Sequence, residues 1–383
     1  MPPDPARFPT ILQVLPALNA GGVERGTVEM VQAIVGAGGT ALVASQGGRL
    51  VPALTRAGGT HFLLPLASRN PLRVLRNAAS VHGIITAHHV GIVHARSRAP
   101  AWAAYRASRH AGVRFVTTWH GTYRENLPFK RHYNAVMAKG DLVIAISHFL
   151  AEELKRRHAV PESRVRVIPR GVDPAVFDPG AVSGERVARL AAAWRLPEGA
   201  PVLLLAGRLT RWKGQEIAIR ALANLANKQA CLVLAGPAQK NGDFARHLGE
   251  LATRLGLGGR VRIVGDCTDM PAALALADVA LNLSTVPEGF GRTVIEAQSM
   301  ARPLIATNHG GAAETVQHNE TGYLVPPDDV ESVVAALDVA LALTPEQRWT
   351  LGYQARAHVC AAYTTAAMQA ATLAVYAELA GMA

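Results

Sequence analysis

Short runs of β-branched and aliphatic residues alternate with longer stretches of mixed polarity along most of the 383-residue chain. "ILQVLPAL" (11–18), "TALVASQ" (40–46), "HFLLPL" (61–66), "GIVHAR" (91–96), "RFVTTWH" (114–120) and "DLVIAIS" (141–147) read as buried strands, each followed by a helix-like stretch. Such alternation builds βαβ units on a parallel sheet. The segment "VRVIPRGVDPAVFDPG" (165–180), rich in Pro, Gly and Asp, reads as a linker. The rhythm then restarts with "PVLLLAGRL" (201–209), "CLVLAG" (231–236), "VRIVG" (261–265), "VALNLS" (279–284) and "PLIATN" (303–308). The pattern predicts an α/β protein of two doubly wound, Rossmann-like domains, residues 1–178 and 179–360. The Ala-rich segment 361–383 is expected to form a terminal helix.

Composition agrees with two cores, since 49% of the residues are hydrophobic. Cys231, Cys267 and Cys360 lie far apart without metal-ligand spacing, which argues against a disulfide framework or a zinc site and for a reducing compartment. The first residues lack a basic segment followed by an apolar run, so no signal peptide is expected. No stretch reaches the roughly 18 apolar residues of a membrane span. The expected location is cytoplasmic.

The net charge of +11 is uneven. Residues 1–180 hold 22 Lys and Arg against 10 Asp and Glu, whereas residues 181–383 hold 17 against 18. The first-half Arg are scattered without interleaved aromatics, unlike a nucleic-acid footprint. An anionic lipid surface or a solvated Arg-rich surface without a partner both account for them.

In doubly wound sheets ligands bind beyond the carboxyl ends of the strands. Four strand-end segments carry candidate chemistry. In "LNAGGVERG" (18–26), Gly21 and Gly22 permit close backbone approach at a helix N-terminus; a plain strand-to-helix turn explains them equally well. In "AGRLTRWKG" (206–214), Arg208 and Lys213 are spaced to converge on a diphosphate, although a solvated basic loop reads the same way. In "VPEGFGRTVIEAQSM" (286–300), a helix opening near Gly291 would aim the N–H groups of Phe290, Gly291 and Arg292 at an anion, after a turn at Gly289. Glu288 would precede that helix, and Glu296 would flank it, suited to a vicinal diol such as a ribose. In "FVTTWHGTY" (115–123), His120 ends a strand and suits a hydroxyl partner or a proton; a histidine satisfied in the core, or one that only supports a neighbouring group, is the plain alternative.

"GRLTRWKG", "EGFGRTVIEA" and "GGAAETVQHNETGYLVPPDD" (310–329), with "VIPRGVDPAVFDP" and the early "GGVERG", resemble the retaining glycosyltransferases of family 4. The likeness spans nearly the whole chain, with the motifs in the expected order. It implies the GT-B fold, two Rossmann-like domains facing a central cleft with the terminal helix crossing back to the N-terminal domain. It implies a nucleotide-sugar donor, UDP- or GDP-linked, and transfer of a hexosyl group with retention. By that resemblance Glu288 contacts the sugar hydroxyls, Glu296 the ribose, Arg208 and Lys213 the diphosphate, Gly22 the region near that diphosphate, and His120 the reacting sugar. The family works without a metal, and no D-x-D motif is present to hold one; no cofactor is expected. Pro287 before Glu288 and the charged Arg292 depart from the common family pattern, and Arg292 suits the donor phosphate or a charged sugar, or points to solvent at the helix end.

Acceptor choice in this fold rests on loops of the N-terminal domain, here 68–77, 94–102 and 121–134, all Arg-rich. They suggest an anionic glycan or lipid-linked acceptor, as in bacterial lipopolysaccharide-core and envelope glycan assembly, with peripheral contact to an anionic membrane and no nucleic-acid partner. A GT-B sugar-nucleotide 2-epimerase should lack "EGFG" with its second Glu. A dinucleotide oxidoreductase would need a G-x-G-x-x-G that "NAGGVERG" does not supply. A non-enzymatic basic binding protein leaves the glutamate pair unexplained.

Overall fold

Both runs of alternating strands and helices fold around parallel sheets in the computed structural model, which describes residues 8–19, 21–123, 125, 128–239 and 242–382. The chain divides into two units, Met1–Arg170 with Thr365–Ala383, and Gly171–Thr364. The division falls at 170 and 365, where the sequence pattern placed boundaries at 178 and 361. The first seven residues, and 124, 126 and 127 of the expected acceptor loop, lie outside the described residues.

The first unit runs β1 (Thr10–Val14), α1 (Gly22–Gly36), β2 (Thr40–Ser45), α2 (Val51–Arg56), β3 (Thr60–Leu63), α3 (Pro71–Ala87), β4 (Ile92–Ala95), α4 (Arg98–Ala111), β5 (Arg114–Trp119), α5 (Pro128–Ala135), β6 (Leu142–Ala145), α6 (His148–His158) and β7 (Val165–Val167). Its sheet has the order β3-β2-β1-β4-β5-β6-β7, parallel throughout. The second unit runs α7 (Gly184–Ala193), β8 (Val202–Ala206), α8 (Gln215–Asn224), β9 (Cys231–Ala235), α9 (Asp243–Arg254), β10 (Val261–Gly265), α10 (Met270–Leu276), β11 (Val279–Asn282), α11 (Arg292–Ser299), β12 (Leu304–Thr307), α12 (Gly310–Ala313), β13 (Tyr323–Val325), α13 (Val330–Ala342) and α14 (Pro345–Ala362). Its parallel sheet is ordered β10-β9-β8-β11-β12-β13. The last helix, α15 (Thr365–Ala380), belongs to the first unit.

Strands such as β4, β6, β9 and β11 are buried at every position, as a sheet covered on both faces requires. Leu203, Leu205, Leu232, Leu234, Leu281 and Ile305 carry the second core, and Ile11, Val43, Ile92, Val116 and Ile144 the first. Tyr376 of α15 is fully buried in that first core.

One expectation fails. The Pro- and Gly-rich segment read as a linker from residue 165 begins as a strand: β7 pairs with β6 in register Val143↔Val165. Three residues at a sheet edge are too short to rise above the turn signals that follow them, and the crossing to the second unit starts at Gly171.

The two sheets share the 3-2-1-4-5-6 winding, with a switch point between β1 and β4 and another between β8 and β11. Gly21 and Gly22 follow β1, and Arg96 follows β4. Arg208 and Lys213 follow β8, and Glu288 follows β11. Topology thus brings candidate residues far apart in sequence to neighbouring strand ends.

Candidate functional site

In the second unit three loops converge, and their backbones touch. Gly214 holds φ +76°, and a Cβ there would overlap the Leu283 carbonyl. Only glycine lets the β8 loop lie directly on the end of β11, where Thr285 N donates to Trp212 O at 2.8 Å. Gly310, at φ +65°, lets the β12 loop approach Glu288, whose backbone O a Cβ would meet at 2.6 Å. Gly311 N donates to that same Glu288 O at 2.8 Å. The Ser284 carbonyl accepts from Thr307 Oγ1 at 3.0 Å and lies 2.6 Å from His309 Nε2.

Within this frame Lys213 Nζ lies 2.7 Å from Glu288 Oε2, both side chains largely buried. Ser284 Oγ donates to Glu288 Oε1. Burial alone would push the Glu288 carboxyl up, but the Lys213 ammonium and hydrogen bonds from Lys213, Ser284 and Asn282 outweigh it and hold the group below the ordinary carboxylate value. Glu288 is therefore a fixed anion at neutral pH, suited to accept hydrogen bonds rather than deliver a proton.

Gly291 caps α11 at φ +83°, so the helix opens at Arg292, two residues after Phe290. The Phe290 ring is buried against Tyr363, with centroids 6.0 Å apart, so that residue offers a ligand only its backbone. Glu296 is buried one turn inside α11, and Arg292 Nε lies 3.8 Å from its Oε1. Arg292 thus turns along the helix toward Glu296 instead of out to solvent. Arg208 is exposed, its carbonyl accepting from Gln215 Nε2 at 3.0 Å. It lines a pocket of about 580 Å³ with Thr210, Pro237, Gln239, Asp243 and Phe244.

The first unit builds a different cluster. Gly21, at φ 137°, caps α1, and Gly22 begins it. Gly26, one turn in, leaves room for two guanidiniums: a Cβ would meet Arg170 Nη1 at 2.9 Å and Arg96 Nη2 at 3.1 Å. Arg96 is 2% exposed and donates to Gln13 Oε1 at 2.8 Å, while Gln13 Nε2 donates to Thr27 O at 3.2 Å, tying β4, β1 and α1 together. Arg170 Nη2 faces His120 at 2.6 Å from Nδ1. Burial, then the Arg170 and Arg96 cations and His94, hold His120 well below its usual value, so the ring is neutral. His94 is neutral for the same reasons, bridging Tyr376 Oη and Thr118 Oγ1 at 2.6 Å each.

Sequence reasoning missed Asn282 and Ser284, which hold Glu288 and its loop, and Arg96 and Arg170, which surround His120. Polar residues closing the apolar runs "VALNLS" and "GIVHAR" were the available signal. Among the described residues no three His, Cys, Asp or Glu are grouped to hold a metal ion.

Comparison with known proteins follows the same division. The model described as "Glycosyl transferases group 1" matches residues 188–358, and "Glycosyltransferase Family 4" matches residues 20–176. A crystal structure of a glycosyltransferase from Rickettsia africae ESF-5 is 35% identical with a TM-score of 0.90, covering 97% of this chain and 98% of that one. The Anabaena protein HepE, solved with UDP and glucose, shares the fold at TM-score 0.85 and 23% identity, over 97% of this chain and all of that one. A D-inositol 3-phosphate glycosyltransferase of Salinispora arenicola is 33% identical over 237 residues, 59% of this chain and 52% of that one. The chain spans about half the length of such sequence relatives.

Proposed function

This chain is a glycosyltransferase of family 4 with the GT-B fold, and from that premise we propose that it moves a hexosyl group, with retention, from a nucleoside diphosphate donor to an anionic envelope glycan or lipid-linked acceptor. The observation that carries this reading is the Lys213–Glu288 pair at the β8–β11 switch point, beside the glycine-capped start of α11. A cation, an acid that stays ionised at neutral pH and a helix N-terminus suit a donor with phosphates at one end and hydroxyls at the other.

As the glycosidic bond breaks, negative charge grows on the departing diphosphate. Lys213, Arg208 and the α11 N–H groups stabilise that charge more in the transition state than in the ground state, without a divalent ion. Glu288 orients the sugar through its hydroxyls. It is held by Lys213, Ser284 and Asn282, which suits it poorly to the nucleophile role of retaining glycosidases. Attack on the donor's front face, with the leaving phosphate taking the acceptor's proton, gives retention. Glu296 takes the ribose diol, and the pocket beside Arg208 takes the rest of the nucleoside. Neutral His120 serves the transferred sugar as a hydrogen-bond partner.

The acceptor reading is supported by the charge of the first unit, and it places the enzyme at the inner face of the cell membrane in lipopolysaccharide or related glycan synthesis. Among the described residues no helix is long and apolar enough to cross a membrane. Thermal shift against UDP-, GDP- and ADP-sugars in EDTA, repeated on Glu296→Ala, tests the donor. One nucleotide series at 100 times its dissociation constant should add about 2.7 kcal/mol and fail in the variant. No shift with any series would overturn the proposed donor.

A further inference from the structure

Between Glu29 and Glu125 the chain holds no Asp or Glu and eleven Arg. α3 and α4 lie in this span and α5 just beyond it, and none of the three carries an acid at any position. Arg73 and Arg76 sit in the first two turns of α3, and Lys130 and Arg131 in the first turn of α5. The helix dipole disfavours cations there, so helix stability does not account for them.

Side-chain contacts join the three helices. α3 and α4 flank a groove of about 690 Å³ lined by Leu75, His82, Tyr105, Arg106, Arg109 and His110. Arg69, just before α3, places its guanidinium 5.9 Å from the Tyr133 ring of α5. Trp102 of α4 stacks on His132 of α5 at 5.5 Å. On this basic surface Leu72 is 68% exposed, Leu75 46% and Phe129 86%.

We propose that the α3–α4–α5 face docks on an anionic phospholipid bilayer, with Phe129 and Leu72 entering the headgroup boundary and the arginines resting on lipid phosphates. The proposal rests on the membrane-proximal acceptor reading above and names the surface that serves it. Apolar tips among cations are the combination an interfacial helix needs. A nucleic acid would want open rings for its bases. Here Lys139 lies over Trp102 and Tyr105, His132 stacks on Trp102, and Arg69 and Arg98 lie near Tyr133. Phe129 extends outward together with the aliphatic Leu72, which fits insertion better than base stacking.

The test is co-sedimentation of the purified full chain with phosphatidylglycerol-containing vesicles, against pure phosphatidylcholine, at low and high salt. Arg73→Glu/Arg76→Glu and Phe129→Asp are compared with the parent. Each charge lost near the surface should weaken binding about fivefold, so the double reversal should cost at least about 25-fold. Phe129→Asp should weaken it as well, and every variant should keep the parent's thermal shift with the donor nucleotide. The inference is overturned by a chain that binds nucleotide but pellets with neither vesicle. It is overturned equally by charge reversals that change nothing, or by variant-sensitive binding of RNA or of a second copy in place of vesicles. Vesicle binding without any nucleotide shift would overturn the proposed donor and leave this surface standing.

Discussion

In the second unit the site cation has an acid beside it, Lys213 against Glu288, and α7, α8, α9, α13 and α14 each carry an acid in the first turn. In the first unit Arg96 and Arg170 crowd two imidazoles that stay neutral, and α3, α4 and α5 open without an acid. The second unit balances its charge locally and binds its loops by backbone contact. The first leaves a net cationic surface and assembles its cluster from long side chains. The two designs suit different tasks: a neutralised pocket selects a small charged ligand, and an unbalanced face attracts over distance.

The largest effect should come from breaking the local balance. Lys213→Met leaves the Glu288 carboxylate without its main partner in a largely buried setting. We expect a loss of about 3 kcal/mol in the second unit and of at least about a hundredfold in kcat/KM. Lys213→Met/Glu288→Gln should recover most of the stability and none of the activity. Denaturant melts with donor-transfer kinetics decide it: recovered activity in the double variant would mean that the pair is only structural.

Acid should separate the units next. His94 and His120 titrate below their usual value when folded, so the unfolded chain takes up protons first. The first unit's stability is whole above about pH 6.5 and falls below it, by about 1.4 kcal/mol per pH unit for each ring that stays neutral. Glu288 is also depressed, but its contribution is lost only as the pH falls below the ordinary carboxylate range, about 4.3, toward its folded value. Hydrogen exchange at pH 5.5 and 7.5 should show amides of β1, β4 and β5 losing protection while those of β8 and β11 keep it. Equal losses in both sheets would erase the contrast.

The smallest test compares two glycines. A Cβ at Gly214 meets the rigid backbone of Leu283, whereas one at Gly26 meets the ends of two arginine side chains. Gly214→Ala should cost about 3 kcal/mol, and Gly26→Ala, in a helix that favours Ala, about 1 kcal/mol or less. Thermal melts of the two variants suffice, and a costlier Gly26→Ala would show the arginine cluster to be as rigid as the backbone frame.

Much of this was legible in one dimension. The apolar runs at 201–209, 231–236, 279–284 and 303–308 fall on β8, β9, β11 and β12, because a strand buried on both faces has to be apolar at nearly every position. Gly291 and the Glu288–Glu296 spacing stood out because a loop that opens a helix writes its needs within a few residues, whereas the need for glycine at 214 shows only where Leu283 packs against it. β7 stayed hidden, since three residues at a sheet edge carry too little pattern. So did Asn282 and Ser284, whose polarity at a strand end signifies nothing until Glu288 is placed next to them.

The sequence by itself determined the two α/β units, the strand-end glycines, the identity of the acids and cations, and the acid-free stretch from 30 to 124. Each of these is a local property, set by periodicity, by backbone freedom or by composition. Only the tertiary structure decided that Lys213 neutralises Glu288, 75 positions away, and that Arg170 faces His120. It alone brought Arg69 to Tyr133 and stacked Trp102 on His132, joining α4 and the approach to α3 with α5. Strand order sets which loops become neighbours, and burial sets which charges interact strongly; neither is encoded in any short window of the chain.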